Sequence, residues 1–453
     1  MPEQINKIKE DKNIIKLLFL LALPAVISGL VDSFYNTVDS VFVGQYIGSK
    51  ALAALSVINV IQLMYISIGV LFSVGNASII SRALGSQNPE RAKQTLIHSF
   101  WGLFVVSNII SFSILMNLDS FLILIGASTD SLPYARDYGS IILWTGFILP
   151  INNMLLGAFR AKGKALSATY LNMIGAVLNI ILDAVFIIYF GWGVAGAALA
   201  TVVGQGIVFV ITLTRIKKLY DTNFLLDNKS EISIPLLKEV VQVGTPTGLR
   251  LILFVGVFSV ANVILKPYGD EYLSAFGIFN RLIMLMSMIN ISLGIGSQPL
   301  IGINYGAKLY KRVQKIILMT FGLGMVISLL TGLFLWYSPA SVFAIFTTDP
   351  DIIRICREIA RPQSYTYIGW GIFICIAEAL QAMGHAKESF WLSLSYPITV
   401  MFGFVVFNMF WGLNGIYWAF PSSYLIIGIL STIMLIKELK ALHKKQIDLE
   451  NSY

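Results

Sequence analysis

Residues 17–44 read LLFLLALPAVISGLVDSFYNTVDSVFVG, an apolar run that contains Pro24 and carries two carboxylates, Asp32 and Asp39. As a helix it would extend about 42 Å, more than the ~30 Å of bilayer hydrocarbon. ALAALSVINVIQLMYISIGVLF (51–72) follows almost at once. The chain is 56% hydrophobic and only 12% charged, with a mean hydropathy of +0.77, too little charge to cover the surface of a soluble protein of 453 residues. Twelve segments are expected to span a membrane: 15–39, 52–79, 95–117, 134–158, 166–190, 193–215, 238–264, 273–299, 314–337, 359–383, 388–411 and 414–436. The first is too long for the apolar core of a signal peptide and reads as a retained span. The fold class is therefore an all-α polytopic membrane protein.

The net charge of +8 does not point to nucleic acid, because the basic residues fall in alternate loops. They cluster at Lys7–Lys16, Arg82–Lys93, Arg160–Lys164, Arg215–Lys218, Lys308–Arg312, Lys387 and Lys440–Lys445. The loops at 116–133, 190–193, 338–350 and 411–413 carry almost none. This bias puts both termini in the cytoplasm, in a multi-pass plasma membrane protein of a prokaryote. Cys356 and Cys375 fit neither a disulfide framework nor a metal site.

The polar stretch 217–236 follows the sixth span and reads as a cytoplasmic linker between an N-terminal six-helix lobe (1–216) and a C-terminal one (237–436), with a cytoplasmic tail at 437–453. The lobes repeat. VGNASIISRALGSQNPERAK (74–93) aligns with IGSQPLIGINYGAKLYKRVQ (295–314), pairing Gly75 with Gly296, Gly85 with Gly306 and Arg91 with Arg312 at a constant offset of 221. The same offset pairs Gly48 with Gly269, and AKGKA (161–165) with AMGHA (382–386). Both copies start and end in the cytoplasm, so they should be related by an axis along the membrane normal, with the pathway between them.

LALPAV with YNTVDSVFVGQYIGSKALAALS (35–56), SRALGSQNPERA (81–92), GAFRAKGKA (157–165), LNIILDAVFIIYFGWGVAGAALATVVGQ (178–205) and GIFNRLI (277–283) resemble the multidrug and toxic compound extrusion (MATE) family. Within it they resemble the DinF-like and MepA-like prokaryotic branch, along essentially the whole chain. The resemblance implies a V-shaped exporter of two pseudo-symmetric six-helix lobes, driven by inward sodium ions or protons.

The fifth span carries the sharpest chemical signal. Asn179 and Asp183 lie four apart on one helix face, with Asn172 continuing the stripe. A bare carboxylate inside a membrane costs several kcal/mol unless it is protonated, paired or cation-bound, so its occupancy can be coupled to conformation. Asp39 supplies a second carboxylate, and the sixth span adds Thr201 and Gln205. Oxygen ligands of this kind suit sodium, and two nearby carboxylates equally suit a held proton. The resemblance assigns the coupling site, and a sodium ion if one binds, to Asp39, Asn179, Asp183 and Thr201. By the repeat offset Asp39 corresponds to Val260, Asn179 to Val400, and Asp183 to Phe404 or Phe402, so the second lobe lacks these acids.

Pro24 breaks the hydrogen-bond ladder of the first span and marks a hinge, whose bending the family links to drug release. Candidates for the substrate cavity are Asp32, Tyr35, Tyr138, Asn153 and Gln205, with Met286 from the run IMLMSMIN and Glu378 of the tenth span. Arg250 and Arg281 are candidate counter-charges. NorM-like members use acids in the seventh and tenth spans, and the seventh has none here. His98, His385 and His443 lie far apart and no phosphate-binding GxxxxGK[ST] loop is present, which argues against an enzyme.

The reading is a secondary antiporter that exports amphipathic, cationic organic compounds in exchange for H+ or Na+, without a cofactor and as a monomer. Its partners are small organic molecules and the bilayer. A flippase or exporter for a lipid-linked or polar metabolite is the nearer alternative, and a receptor or channel the more distant one.

Overall fold

In the computed structural model, residues 2–222, 233–337 and 340–452 are described. Most of the expected linker, 223–232, lies outside them. The first repeat supplies the helices α1 (Ile14–Tyr46), α2 (Ser49–Gly85), α3 (Pro89–Leu115), α4 (Leu132–Trp144), α5 (Ile148–Ala161), α6 (Ala165–Asp183) and α7 (Gly193–Tyr220). The second repeat supplies α8 (Ile234–Leu265), α9 (Asp270–Gly306), α10 (Tyr310–Tyr337), α11 (Pro350–Gln363), α12 (Thr366–Met383), α13 (Ala386–Trp411) and α14 (Leu413–Glu450). Among the described residues there is no strand, and eleven helices are long and apolar enough to cross a membrane. The pair α4–α5, bent by 48°, makes the twelfth span.

The fourth and tenth spans are not the single helices their apolar runs predict. Gly146 sits in the break between α4 and α5, where a Cβ would fall 2.3 Å from the Tyr65 hydroxyl and 2.4 Å from Ser111 Oγ. In the second repeat the helix stops at Gln363, just after Pro362, and resumes at Thr366. The expected span 359–383 is therefore shortened to α12, and α11 is a separate amphipathic helix. Proline offers no N–H to the ladder, which accounts for a helix end so close to Pro362.

Local geometry repeats with the sequence. Gly48 and Gly269 take φ of 116° and 118°, a conformation open at little cost only to glycine. Gln87 and Lys308, also 221 apart, turn left-handed at 60° and 59°.

Contacts divide the chain into two compact units, Ile27–Gly248 and Met1–Val26 with Leu249–Tyr453. Each unit thus takes the opening turns of the other repeat's first helix. In the unit Ile27–Gly248, α8 lies so close on α2 that a Cβ on Gly75 would meet the Val240 carbonyl at 2.0 Å. In the other unit, a Cβ on Gly296 of α9 would meet the Ala22 backbone nitrogen of α1 at 2.6 Å. Arg91 pairs with Glu239 of α8 at 2.8 Å, and Arg312 donates to the carbonyls of Ile8 and Asp11 at 2.9 and 2.6 Å. The repeat's most regular glycine and arginine therefore seat and anchor the exchanged segment in both units. Pro24 and Pro246 lie inside α1 and α8, each two residues before the chain passes from one unit to the other.

Candidate cation-coupling site

All four expected coupling residues, Asp39, Asn179, Asp183 and Thr201, belong to the unit Ile27–Gly248. Small residues bring α6 and α7 together: a Cβ on Gly204 would lie 3.4 Å from the Asn179 nitrogen. At that level Asn179 Nδ2 donates to Thr201 Oγ1 at 3.2 Å. Asp183 is the last α-helical residue of α6, and a π-helical turn, Ala184–Tyr189, follows it. Widened turns of this kind recur at functional sites in helices, and this one was not legible in the spacing.

Asn179 and Asp183 are buried, at 4% and 0% exposure. Asp183 lies within electrostatic reach of Asp39 of α1, and Tyr138 of α4 within reach of both. Tyr138, 1% exposed, also accepts from Gln62 Nε2 at 3.3 Å, a neighbour not singled out from sequence although Gln62, with Asn59, is one of two amides in the apolar stretch 51–72 of α2. Four acceptor oxygens here meet no donor among the described residues: both of Asp183, Oδ1 of Asp39 and Oδ1 of Asn179. Buried acceptors are normally satisfied, and leaving them unmatched costs about 1–3 kcal/mol each, more for a charged group. Oxygen-only donors without hydrogen-bond partners fit a hard cation or a proton equally well. No cluster of three or more metal-binding His, Cys, Asp or Glu side chains occurs among the described residues.

The other repeat fills the equivalent space with hydrocarbon. Val400 and Phe404 are fully buried, whereas Phe402 is 68% exposed, which fixes Phe404 as the counterpart of Asp183. The counterpart of Thr201 is then Phe420, at the offset of 219 that pairs Gly193 with Gly412. Phe404 and Phe420 pack edge to face at 5.2 Å, and Phe258 and Phe276 join them. A polar cluster in one repeat is a dry aromatic one in the other.

The remaining candidates separate. Asp32 accepts from Asn172 Nδ2 at 2.8 Å and feels Arg160, and Tyr35 lies within electrostatic reach of both Asp32 and Asp39. Gln205 is tied to Asn152, which donates to its backbone and side-chain oxygens at 3.0 Å. Asn153 donates to the Leu149 carbonyl of its own helix. Met286 and Glu378 belong to the other unit, and Met286 is only half-buried.

Glu378 is 1% exposed, with one carboxylate oxygen 2.6 Å from Arg250 Nη2 and the other accepting from Gln298 Nε2. A size exchange between repeats makes its room. In the first, Ser73 faces Gly157; at the positions 221 residues later, Gly294 faces Glu378, and a Cβ on Gly294 would come within 2.7 Å of its side chain. Arg281 is exposed.

These features define a helical membrane protein built from a duplicated six-helix plan, with its buried acids in unlike settings in the two copies. The MatE family model matches residues 24–185 and again 246–405, each match opening at the proline of its repeat's first helix, and the chain belongs to that family of transporters. The multidrug export protein MepA of Staphylococcus haemolyticus (strain JCSC1435) is 26% identical over 424 residues, 90% of each chain. A solved structure described as the outward-facing conformation of a multidrug resistance MATE family transporter superposes with a TM-score of 0.86 at 22% identity, covering 95% of this chain and 96% of that one. A MATE crystal structure in the bent conformation gives 0.89, also at 22%, covering 97% and 98%.

Proposed function

We propose that this chain is a secondary antiporter that exports amphipathic, cationic organic compounds while H+ or Na+ moves inward through Asp39, Asn179, Asp183 and Thr201. The observation that carries this reading is the set of four donorless acceptor oxygens on Asp39, Asn179 and Asp183 of one repeat, whose counterparts in the other are Val260, Val400 and Phe404. A cation or proton stabilises those oxygens and its loss leaves buried charge, so ion occupancy biases the conformation of the helices that carry them. The multidrug export named for the MepA relatives supports the substrate class. The alternation of basic loops supports a plasma-membrane topology with cytoplasmic termini, and with both repeats in one chain the proposed transport unit is a monomer.

A flippase for a phosphate-bearing substrate would need cationic groups held open, yet Arg250 is taken by Glu378 and Arg160 faces Asp32. The test is transport in proteoliposomes energised by a sodium gradient alone and by a proton gradient alone, with wild-type, Asp39→Asn and Asp183→Asn chains. Efflux driven by one gradient and lost in both variants supports the proposal. Unchanged efflux in either variant rejects it.

A further inference from the structure

Beside α14, away from the acids, an apolar groove of about 640 Å3 runs between α12 and α14. Its walls are Ile368 and Ile372 on one side and Leu425, Ile429 and Ile433 on the other. Its floor is Gly369 against Gly428, where the helices approach so closely that a Cβ on Gly428 would lie 3.1 Å from the Gly369 Cα. From Trp418 to Ile433 it follows α14 for about 22 Å, deeper than one leaflet of a ~30 Å hydrocarbon core.

At one end the groove meets a second cleft of about 620 Å3, lined by Arg354, Arg357 and Arg361 of α11, with Trp418 common to both. The arginines recur at i, i+3 and i+7 on one exposed face of α11, while Ile355, Cys356 and Ile359 are buried on the other. Arg354 is paired with Glu358 at 2.9 Å. The guanidinium groups of Arg357 and Arg361 meet no acid or acceptor among the described residues. Trp418 and Tyr365 stack at 5.9 Å where the two cavities join, and both are about half exposed. Amphipathic aromatic rings sit at the headgroup level of a bilayer, which places the arginines among phosphates and the groove among acyl chains.

We propose that this surface is a binding site for one anionic glycerophospholipid, with its phosphate between Arg357 and Arg361 and one acyl chain along the α12–α14 groove. Arg354 is taken up by Glu358 and by Asp351 at 3.7 Å, so the charge complementarity comes from Arg357 and Arg361, whose planar guanidinium forks each match a phosphate in two hydrogen bonds. The loop that precedes α11 belongs to the set poor in basic residues, so a triad of arginines here departs from the rest of that face and calls for an anionic neighbour.

The full chain, reconstituted in nanodiscs of phosphatidylcholine and phosphatidylglycerol, is released into detergent and its retained lipids are weighed by native mass spectrometry. Wild type should hold phosphatidylglycerol in preference to phosphatidylcholine. Arg357→Gln and Arg361→Gln should each weaken that retention about fivefold, as expected for one basic residue at a charged lipid surface. Arg357→Lys with Arg361→Lys should keep much of it, and Leu425→Trp, which fills the groove, should lower it with the charges intact. Unchanged retention in the double glutamine variant overturns the proposal. So does an equal loss in Lys440→Gln with Lys444→Gln, which removes the same charge elsewhere, or displacement of the lipid by glycerol phosphate alone.

Discussion

Asn179 donates its amide to Thr201 across 3.2 Å, which commits the nitrogen to α7 and leaves the carbonyl oxygen as an acceptor without a donor. One hydrogen bond thus orients the amide so that it adds an oxygen to those of Asp183 and Asp39. The arrangement is short of donors, and that deficit is what a monovalent cation or a proton would fill.

Asp183→Asn and Asp39→Asn should both reach the membrane in wild-type amounts, because each replaces a costly buried carboxylate with a neutral amide of the same shape. Ion-driven dye efflux from everted vesicles should fall by about 5–150-fold, the range of typical coupling free energies. Normal expression with normal efflux would remove these residues from the coupling site.

Thr201→Val keeps the side-chain shape and removes the hydroxyl that holds Asn179. Loss of a neutral hydrogen bond costs about 1 kcal/mol, so the apparent affinity for the coupling ion should drop about fivefold, and Thr201→Ser should recover most of it. Titration of transport against the driving ion reads both.

Glu378→Gln should destabilise the protein by about 3–5 kcal/mol, because it leaves the Arg250 guanidinium buried without its counter-charge. Replacing the pair together, with Arg250→Met and Glu378→Met, should restore much of that loss, since paired apolar substitution of a buried ion pair is often neutral. Thermal unfolding in detergent distinguishes the two. A stable Glu378→Gln chain would show that the pair carries little energy.

Gly75→Ala and Gly296→Ala should each lower stability by about 1–3 kcal/mol through overpacking against Val240 and Ala22. Gly206→Ala in α7 is the matched control: a Cβ there meets nothing within 4 Å, and exchanging an interior helical glycine for alanine should gain up to about 1 kcal/mol. The same unfolding assay checks all three.

The sequence by itself determined the membrane class, the duplication and the pairing of Asn179 with Asp183 on one helix face, because each rests on spacing along the chain, whereas Asp39 and Thr201 were joined to that pair only by resemblance. Apolar runs of spanning length, a constant offset of 221 and the pair Asn179/Asp183 on one helix face need no tertiary information. What only the tertiary structure decided are contacts between segments far apart in sequence. The Arg250–Glu378 pair joins residues 128 apart, and no periodicity forecasts it. The seating of Val240 on Gly75 and Ala22 on Gly296 gives each unit the opening of the other repeat's first helix, an exchange invisible to an alignment that treats the halves as consecutive. The breaks at Gly146 and after Pro362, and the π-helical turn beyond Asp183, were likewise hidden, because apolar composition records that a segment belongs in the membrane but not whether packing lets its helix run straight through.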